Sequence, residues 1–478
     1  MMPIPPYSIA SLAAIARQKG HEVEVWDQFA TRERIDLLTD RLIENGPDLV
    51  GISCLTPSEP YARRIIQQYR EKGGKGATVL GGVHPTVFHR ELIEQGACDI
   101  VVRREGEGPF GDLLDAHEKG AQVERVKGIT FRKNGEVVAT EDHAPVGDLD
   151  ALPVPAWECL TQGIEIYGEA PTLGLYGSIL PILGARGCPF RCTFCGQEVL
   201  YPGVRTRSVH NIIEEIRYLR ERFGLKNFVF LDANFPLSRK QGMTFCDAMI
   251  ESGLAGELRW SAEVAVSMVD REMIHKMAEA GCRNIEYGFE VGSPEILEQT
   301  RKGTTIEQAV EAMQWTKEAG IHVFGLFMIG LPGETPGHIR QTLRLAVRLD
   351  SDIAKFNVTV PYPGSALFED YREELMRDFD PETFNPWFQS DDPGRKVSTV
   401  PGGMSANKLL FYQRAMMLLY YVRPRMILKH IRQKTLRPAH FLMGIRFLFG
   451  GLFESVRKIV HEAVSPSNGR INKGRGRK

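Results

Sequence analysis

Short runs of β-branched and apolar residues alternate with helical stretches along most of this chain, and this alternation restricts the possible folds more than any other feature. In the first 145 residues, helical patterns are followed by extended runs at 21–27, 47–53, 77–82 and 99–102. The alternation resumes further on, with six strand patterns at 180–186, 227–233, 258–264, 283–290, 321–330 and 354–360. Alternation of this kind predicts parallel sheets covered by helices.

The pattern divides the chain into five parts. We predict an α/β protein with a Rossmann-like first domain over 1–145, a linker rich in Pro and acidic residues over 146–179, and a partial (β/α)6 TIM barrel over 180–370. A helical C-terminal region over 371–464 and a disordered basic tail over 465–478 follow. In a barrel the chemistry lies at the C-terminal ends of the strands, so the loops after these strands are where we look for a site.

Composition is that of an ordinary globular protein. The chain has 478 residues, of which 25% are charged and 43% hydrophobic, and its formal net charge is −1. Such averages indicate neither nucleic acid nor membrane. Eight cysteines are too sparse for a disulfide scaffold, no secretory signal is evident, and no apolar run approaches the ~18 residues of a membrane span. We therefore predict a cytoplasmic protein.

The C-terminal segment departs from this average. Residues 401–478 contain sixteen Lys and Arg but two acidic residues, and they include an amphipathic pattern over 405–431. One interpretation is contact with an anionic membrane surface, which would suit a lipid, isoprenoid or tetrapyrrole substrate. A second is a helical lid held on the acidic remainder of the chain by charge complementarity. A nucleic-acid interface is a third, but no basic face interleaved with aromatic residues supports it, and we expect no nucleic-acid partner.

Three cysteines stand close together after the first barrel strand, in the stretch GARGCPFRCTFCGQ: Cys188, Cys192 and Cys195. A structural zinc site needs four ligands, and no fourth Cys or His is near. A disulfide would use two and suits another compartment. In an iron-sulfur cube, three thiolates leave one iron open to bind something else. Three buried structural cysteines are the alternative, but such a role does not explain their loop setting.

This CxxxCxxC motif, with Phe194 before its last cysteine, resembles that of the radical S-adenosylmethionine (radical SAM) enzymes. The resemblance implies that the three cysteines hold a [4Fe-4S] cluster whose open iron binds S-adenosylmethionine. One electron from the cluster then cleaves the sulfonium C–S bond and gives a 5′-deoxyadenosyl radical. An external electron donor of the flavodoxin or ferredoxin type is implied as a partner.

Later strand ends resemble the family's contacts with S-adenosylmethionine. The stretches LDANF, YGFEVGSPEIL and FMIGLPGET supply the predicted cofactor residues Asp232, Glu290, Gly292, Ser293, Gly330 and Pro332. Each by itself is also typical of a turn or a helix cap. Relatives often carry an Arg near the third strand end, where this chain has Ala265, so a carboxylate clamp would come from Arg301 or Lys302.

The first domain resembles the cobalamin-binding Rossmann-like domains. The carrying residues are Ser53 and Leu55 in GISCLT and Gly81 and Gly82 in VLGGVHPT, which by resemblance line the pocket for the nucleotide tail. No DxHxxG motif provides a lower cobalt ligand, and the strand expected before residue 3 is absent. His84 is more typical of a pocket-lining residue than of a cobalt ligand.

Together these resemblances imply a cobalamin-dependent radical SAM enzyme, most members of which are methyltransferases acting on an unactivated carbon of a small molecule. The alternative reaction is oxidative cyclisation or ring rearrangement, of the type carried out by the anaerobic magnesium-protoporphyrin cyclases. A non-catalytic cobalamin or redox sensor is an alternative of another class. The sequence assigns no catalytic residue and does not identify the substrate.

Overall fold

A computed structural model describes residues 4–167, 175, 177–385 and 397–432. Its first sheet has five strands in the order of the chain: β1 (Leu49–Ser53), β2 (Ala77–Gly81), β3 (Ile100–Val102), β4 (Ile129–Lys133) and β5 (Glu136–Ala139). The first three strands are parallel, with Ser53 opposite Gly81, and the last two are antiparallel. The predicted parallel strands at 47–53, 77–82 and 99–102 are thereby confirmed.

Helices cover this first sheet. They are α1 (Tyr7–Gln18), α2 (Gln28–Thr31), α3 (Ile35–Asn45), α4 (Glu59–Glu71), α5 (Val83–Val87), α6 (His89–Glu94) and α7 (Glu107–Glu118). The strands are too short to be stable alone, so the sheet depends on the apolar faces of these helices, such as Ile66 and Tyr69 of α4, each 1% exposed.

One expectation for the first domain was wrong, and one element of it was not predicted. Residues 21–27 form no strand in the sheet, because Val25 instead donates to Cys159 O at 2.8 Å and accepts from Thr161 N at 3.0 Å, both in the linker. The β4–β5 hairpin was not predicted, although its Asn134-Gly135 turn, with φ of 50° and 88°, is the strongest short hairpin signal a sequence can carry.

The second sheet is the partial barrel. Its six parallel strands lie in chain order: β6 (Ile179–Ile182), β9 (Asn227–Phe230), β10 (Arg259–Glu263), β11 (Cys282–Glu290), β12 (His322–Ile329) and β13 (Ile353–Val358). The first and last strands are not paired with each other, so the barrel is open. A short antiparallel ribbon of β7 (Ala185–Arg186) and β8 (Arg205–Thr206) lies between β6 and the next helix. All six predicted barrel strands are confirmed.

The barrel helices have the predicted amphipathic pattern. They are α8 (Val209–Phe223), α9 (Arg239–Glu251), α10 (Arg271–Glu279), α11 (Pro294–Gln299), α12 (Ile306–Glu318) and α13 (Pro336–Leu349). Helix α8 begins where the Ser208 side chain accepts from Asn211 N and ends at Gly224, whose φ of 61° favours glycine. Its Ile212, Ile216 and Leu219 are fully buried, each worth roughly 2 kcal/mol of transfer free energy.

After the barrel come α14 (Ala366–Asp370), α15 (Arg372–Arg377), α16 (Ala406–Tyr421) and α17 (Pro424–Arg432). The amphipathic pattern over 405–431 therefore forms two helices, because Pro424 cannot continue α16 and starts α17. Tyr420 donates to Ser351 O at 2.7 Å, which fixes α16 on the last strand of the barrel. No helix among the described residues is long and apolar enough to cross a bilayer.

The basic residues of this region pair with the barrel. Arg423 and Arg425 both reach Asp350, at 3.1 and 3.2 Å, and Lys429 reaches Asp352 at 2.8 Å. These three residues follow the interpretation in which the charges of the segment complement the acidic remainder of the chain. The rest of the basic segment, including the predicted tail at 465–478, lies outside the described residues.

Candidate active site

The three cysteines lie in the loop that follows β7, on the side of the barrel where the strands end. Two backbone hydrogen bonds anchor this loop, because Thr193 N donates to Thr300 O at 2.9 Å and Leu367 N donates to Thr193 O at 2.8 Å. Cys188 and Cys192 are half-buried and Cys195 is exposed. All three are free thiols, so the predicted ligands are brought together on one anchored loop.

Hydrogen-bond donors reach two of the thiols. Asn234 Nδ2 donates to Cys188 Sγ at 3.2 Å, and the backbone of Gln197 donates to Cys195. Burial raises the pKa of Cys192, while the nearby Lys302 ammonium opposes this rise. Donors and a cation around the sulfurs favour the thiolate form that binds metal. Asn234 was not predicted from the sequence.

Among the described residues, no group of three His, Cys, Asp or Glu side chains is placed to hold a single metal ion. An iron-sulfur cube makes a different demand, because each thiolate binds its own iron. Three separated thiols on one loop, with polar donors beside them, fit such a cluster.

Glu290 occupies an unusual backbone position at the end of β11. Its φ of 61° is rare for a residue with a side chain, and the pairing with β12 shifts between Gly288 and Glu290. Lys302 is 9% exposed, donates to Gly288 O at 2.6 Å and forms an ion pair with Glu290. Strained backbone of this type is concentrated at functional sites, and here it directs a paired carboxylate into the barrel beside the cysteine loop.

Gly292 and Ser293 follow in the same segment. A Cβ atom on Gly292 would lie 2.6 Å from Gln341 C and 2.7 Å from Thr342 Cα, so the close approach that requires glycine is with α13. Gly292 N also donates to Thr342 Oγ1 at 2.9 Å. Ser293 precedes α11 without capping it through its side chain, which leaves the hydroxyl for another partner. Contacts of both residues with S-adenosylmethionine stay a prediction.

Asp232 is fully buried at the end of β9. Its carboxylate accepts from Gly184 N at 2.8 Å, and burial raises its pKa to about 8. Gly184 leads into the ribbon that precedes Cys188. The structure therefore gives Asp232 a role in positioning that ribbon, and its predicted contact with the methionine part of S-adenosylmethionine stays untested.

The turn after β12 is organised by a residue that the sequence analysis did not select. Glu334 accepts from Leu331 N at 3.2 Å and also from Gly330 N, and its burial raises its pKa to about 7. Gly330 has a φ of 93°, and a Cβ there would lie 2.8 Å from Leu409 of α16. Pro332 is half-buried in the same turn. The glutamate in the motif GLPGET was the available signal.

The predicted cobalamin residues lie at the ends of two neighbouring strands. Ser53 and Gly81 are paired across β1 and β2, and Leu55, just beyond, is 57% exposed. Gly82 has a φ of 109°, and a Cβ there would lie 2.7 Å from Cys54 O, so the protein backbone itself requires this glycine. Leu55 offers an exposed apolar surface at this edge, and Gly81 and Gly82 have no side chains that would keep a ligand away from the backbone.

His84 is a core histidine. It is 3% exposed, its Nδ1 lies 3.3 Å from Thr56 Oγ1, and its ring lies 4.7 Å from that of Phe88. Burial lowers its pKa to about 4. These are the contacts of a packed core residue, and the pocket-lining role expected for it stays a prediction.

Further charged residues face each other inside the barrel and were not selected from the sequence. Glu263 on β10 is directly opposite Glu286 on β11. Burial, together with the Glu286 charge, raises the pKa of Glu263 to about 7. Lys355 on β13 favours the ionised form of Glu286, while burial lowers the pKa of Lys355 to about 8. Strands β10, β11 and β13 therefore carry charged side chains that influence one another.

The two predicted cofactor regions adjoin each other. Helix α5, which follows the glycine pair, packs against residues 197–199 at the end of the cysteine loop. A Cβ on Gly364 would contact both Val199 and, at 3.2 Å, Val87 of α5. Rings on both sides extend this contact, with Phe88 5.1 Å from Phe379 and 6.3 Å from Phe368. The structure thus brings the ends of β1 and β2 close to the cysteine loop.

Comparison with known proteins identifies the family. The sequence matches the radical SAM superfamily over residues 182–346 and the B12 binding domain over residues 2–114. An uncharacterized methyltransferase of Pyrococcus horikoshii is 31% identical over 368 residues, covering 76% of this chain and 78% of that protein. The chain belongs to the cobalamin-binding radical SAM enzymes. The sensor hypothesis is therefore wrong, because this is a family of enzymes.

Two further proteins are similar to this radical SAM enzyme. The anaerobic magnesium-protoporphyrin IX monomethyl ester cyclase of Cereibacter sphaeroides is 29% identical over 381 residues, covering 78% of this chain and 61% of that protein. The solved structure of the radical S-adenosylmethionine methyltransferase TsrM from Kitasatospora setae has a TM-score of 0.69 at 19% identity, covering 88% of this chain and 87% of that one. This likeness confirms the predicted combination of a Rossmann-like domain, a partial barrel and C-terminal helices.

The family's three cofactors are those predicted from the sequence. They are a [4Fe-4S] cluster, S-adenosylmethionine and cobalamin. The donors around the cysteine loop, the paired carboxylate of Glu290 and the Ser53–Gly81 pair at the ends of β1 and β2 fit these three groups.

Proposed function

We propose that this enzyme transfers a methyl group to an unactivated carbon of a small molecule. The observation that carries the proposal is the contact between α5 and residues 197–199, because it sets the cobalamin end of the first domain against the cysteine loop. A methyl source and a radical source would then serve one enclosed space. The similarity to a methyltransferase of Pyrococcus horikoshii supports the same reaction.

The residues have distinct roles in this proposal. When bound, the cluster with S-adenosylmethionine supplies a carbon radical, and the cobalamin supplies the methyl group. Cys188, Cys192 and Cys195 hold the cluster, and Asn234 donates to the first of them. Lys302 forms an ion pair with Glu290 and is our candidate partner for the carboxylate of S-adenosylmethionine. The sequence analysis named Arg301 or Lys302 for this role.

The charged side chains of the barrel bear on the substrate. Glu263 and Glu286 lie side by side on β10 and β11, and Lys355 of β13 favours the ionised form of Glu286, so a substrate that reached these residues would have to offer hydrogen-bonding groups in place of water. We infer that a lipid, isoprenoid or tetrapyrrole substrate of this enzyme would place a polar group there and its apolar part elsewhere.

Isotope transfer tests the proposal. The anaerobically reconstituted protein is incubated with dithionite, hydroxocobalamin, S-adenosylmethionine carrying a deuterated methyl group, and a small-molecule extract from a strain that lacks the gene. We expect release of 5′-deoxyadenosine together with a small molecule that has gained the labelled methyl group. The Cys188→Ala variant should release neither. Release of 5′-deoxyadenosine without any labelled product would contradict methyl transfer.

Oxidative cyclisation is the second candidate, supported by the similarity to the cyclase of Cereibacter sphaeroides. The same incubation separates the two reactions. A cyclase or ring-rearranging enzyme would alter the mass of its substrate by loss of hydrogen or rearrangement, with no deuterated methyl group in the product.

We further propose that an external donor of the flavodoxin or ferredoxin type reduces the cluster. Contact with an anionic membrane would depend on the other basic residues of the C-terminal segment, because Arg423, Arg425 and Lys429 already pair with the barrel. Sedimentation of the full-length protein with vesicles of anionic phospholipid, compared with neutral vesicles, tests this contact. Equal recovery with both would contradict it.

A further inference from the structure

A buried network of four charges joins the first domain to the cysteine loop. Glu105, just before α7, accepts from Arg186 Nη1 on β7 at 2.8 Å and from Arg205 Nη1 on β8 at 2.9 Å. Glu107, the first residue of α7, also pairs with Arg186. The side chains of Arg186 and Glu105 are only 3% and 5% exposed. Two glutamates of one domain therefore hold both strands of the ribbon that carries the cysteines.

The ribbon transmits this position directly to the first cysteine. Arg186 and Cys188 are separated only by Gly187, whose φ of 83° and close approach to Gly203 O leave that residue little freedom. On its other side, the Arg186 guanidinium lies 5.4 Å from the centre of the Tyr201 ring. A displacement of Arg186 must therefore displace Cys188 as well.

The network also continues towards the cobalamin end of the first domain. Arg104, which precedes Glu105 and has a φ of 60°, donates through its backbone N to Thr86 Oγ1 at 2.9 Å. The Thr86 hydroxyl in turn donates to Gly82 O at 2.7 Å. Gly82 is one of the two glycines at the predicted cobalamin edge. A continuous set of short contacts thus runs from that edge to the cysteine loop.

Stability alone is a poor reason for such an arrangement. Removing four charged groups from water costs free energy that their mutual attraction barely recovers, and apolar side chains of similar volume commonly serve as well or better. What ion pairs with fixed geometry do provide is a defined position for each partner. The network is therefore better explained by the need to place the ribbon than by the need to join two domains.

We propose that Glu105 and Glu107 are positioning residues for the iron-sulfur cluster, acting through Arg186 on Cys188, and that they transmit cobalamin occupancy to the cluster loop. Cobalamin bound beside Gly82 restricts that edge, and the restriction reaches the cysteines through Thr86, Arg104 and the ion pairs. The inference holds whichever group the enzyme transfers, because it concerns the cluster and not the reaction.

The test uses full-length protein with its cluster reconstituted. The rate of iron release to bathophenanthroline disulfonate is measured anaerobically, with and without hydroxocobalamin, for the wild type, Glu105→Gln and Glu107→Gln. The matched control is Asp350→Asn, because this carboxylate is also buried and also pairs with two arginines, Arg423 and Arg425, but these belong to the helical region after the barrel. Thermal unfolding and visible absorbance of bound corrinoid are recorded for each protein.

We expect hydroxocobalamin to slow iron release at least about threefold in the wild type and in Asp350→Asn, since it suppresses local opening of the loop. In Glu105→Gln and Glu107→Gln this protection should disappear, although both still bind the corrinoid. Should Glu105→Gln fail to fold, the result for Glu107→Gln, whose side chain is more exposed, decides. Protection that persists in the Glu105 and Glu107 variants, that is lost equally in Asp350→Asn, or that is missing in the wild type would overturn the proposal.

Discussion

Replacing Gly292 by alanine tests the claim that this glycine is required by packing against α13. The added Cβ would lie 2.6 Å from Gln341 C and 2.7 Å from Thr342 Cα, which are backbone atoms that cannot rotate away. Overpacking of this type costs about 1–3 kcal/mol. Separation of the segment from α13 would also break the hydrogen bond from Gly292 N to Thr342 Oγ1, at a cost of about 1 kcal/mol. Alanine also lowers the conformational entropy of the unfolded chain, which offsets somewhat less than 1 kcal/mol of the lost stability.

The net expectation is a loss of about 2 kcal/mol of stability, measured by urea unfolding of the barrel. Because Glu290 and Ser293 belong to the displaced segment, the KM for S-adenosylmethionine in 5′-deoxyadenosine release should rise at least about tenfold. The control is Gly337→Ala on α13 itself, where the nearest atom to the new Cβ is Thr335 Oγ1 at 3.4 Å. It should be neutral or slightly stabilising. A Gly292→Ala protein as stable as Gly337→Ala, with an unchanged KM, would refute the packing argument.

Three further predictions follow from the site and its supports. Asn234→Ala removes the donor to Cys188 and leaves the backbone N–H of Ala265 without its acceptor. We expect a loss of about 1–3 kcal/mol of folding stability and a lower reduction potential of the cluster. A redox titration that gives the wild-type potential would be evidence against this role. Glu334 has a pKa of about 7 in the folded protein, above the ordinary value of 4.5. Its protonated form therefore adds stability that is fully present below pH ~4.5 and is lost as the pH rises through 7, by up to about 3 kcal/mol. Between pH 5 and 8, the free energy of unfolding in urea should decline less for Glu334→Gln than for the wild type. Asp350→Asn weakens the ion pairs that hold the end of α16 and the start of α17. Limited trypsin digestion should then cut after Arg425 several times faster, and an unchanged rate would mean that these pairs do not fasten the helices.

The sequence predicted the parts of the molecule that depend on local pattern. The six barrel strands and the stripe of α8 follow from periodicity, because a strand or helix that covers a sheet must present apolar residues at fixed intervals. The cysteine motif predicted the cluster site in the same way, since its three thiolates come from one loop and need no partner from a distant part of the chain. The sequence also carries local signals for the break of the C-terminal helix at Pro424 and for the hairpin at Asn134-Gly135, but the sequence analysis did not use them.

Contacts between residues far apart in the chain were decided only by the tertiary structure. Residues 21–27 have the composition of a strand, yet they pair with the linker because the folded chain offers Cys159 and Thr161 as partners there. Glycine at 292 was predicted from a motif, but the helix that requires it is α13, which begins more than forty residues later. The ion pairs of Glu105 with Arg186 and Arg205 likewise cross between domains. Charge and burial at such positions depend on which segments meet, and no local pattern of residues carries that information.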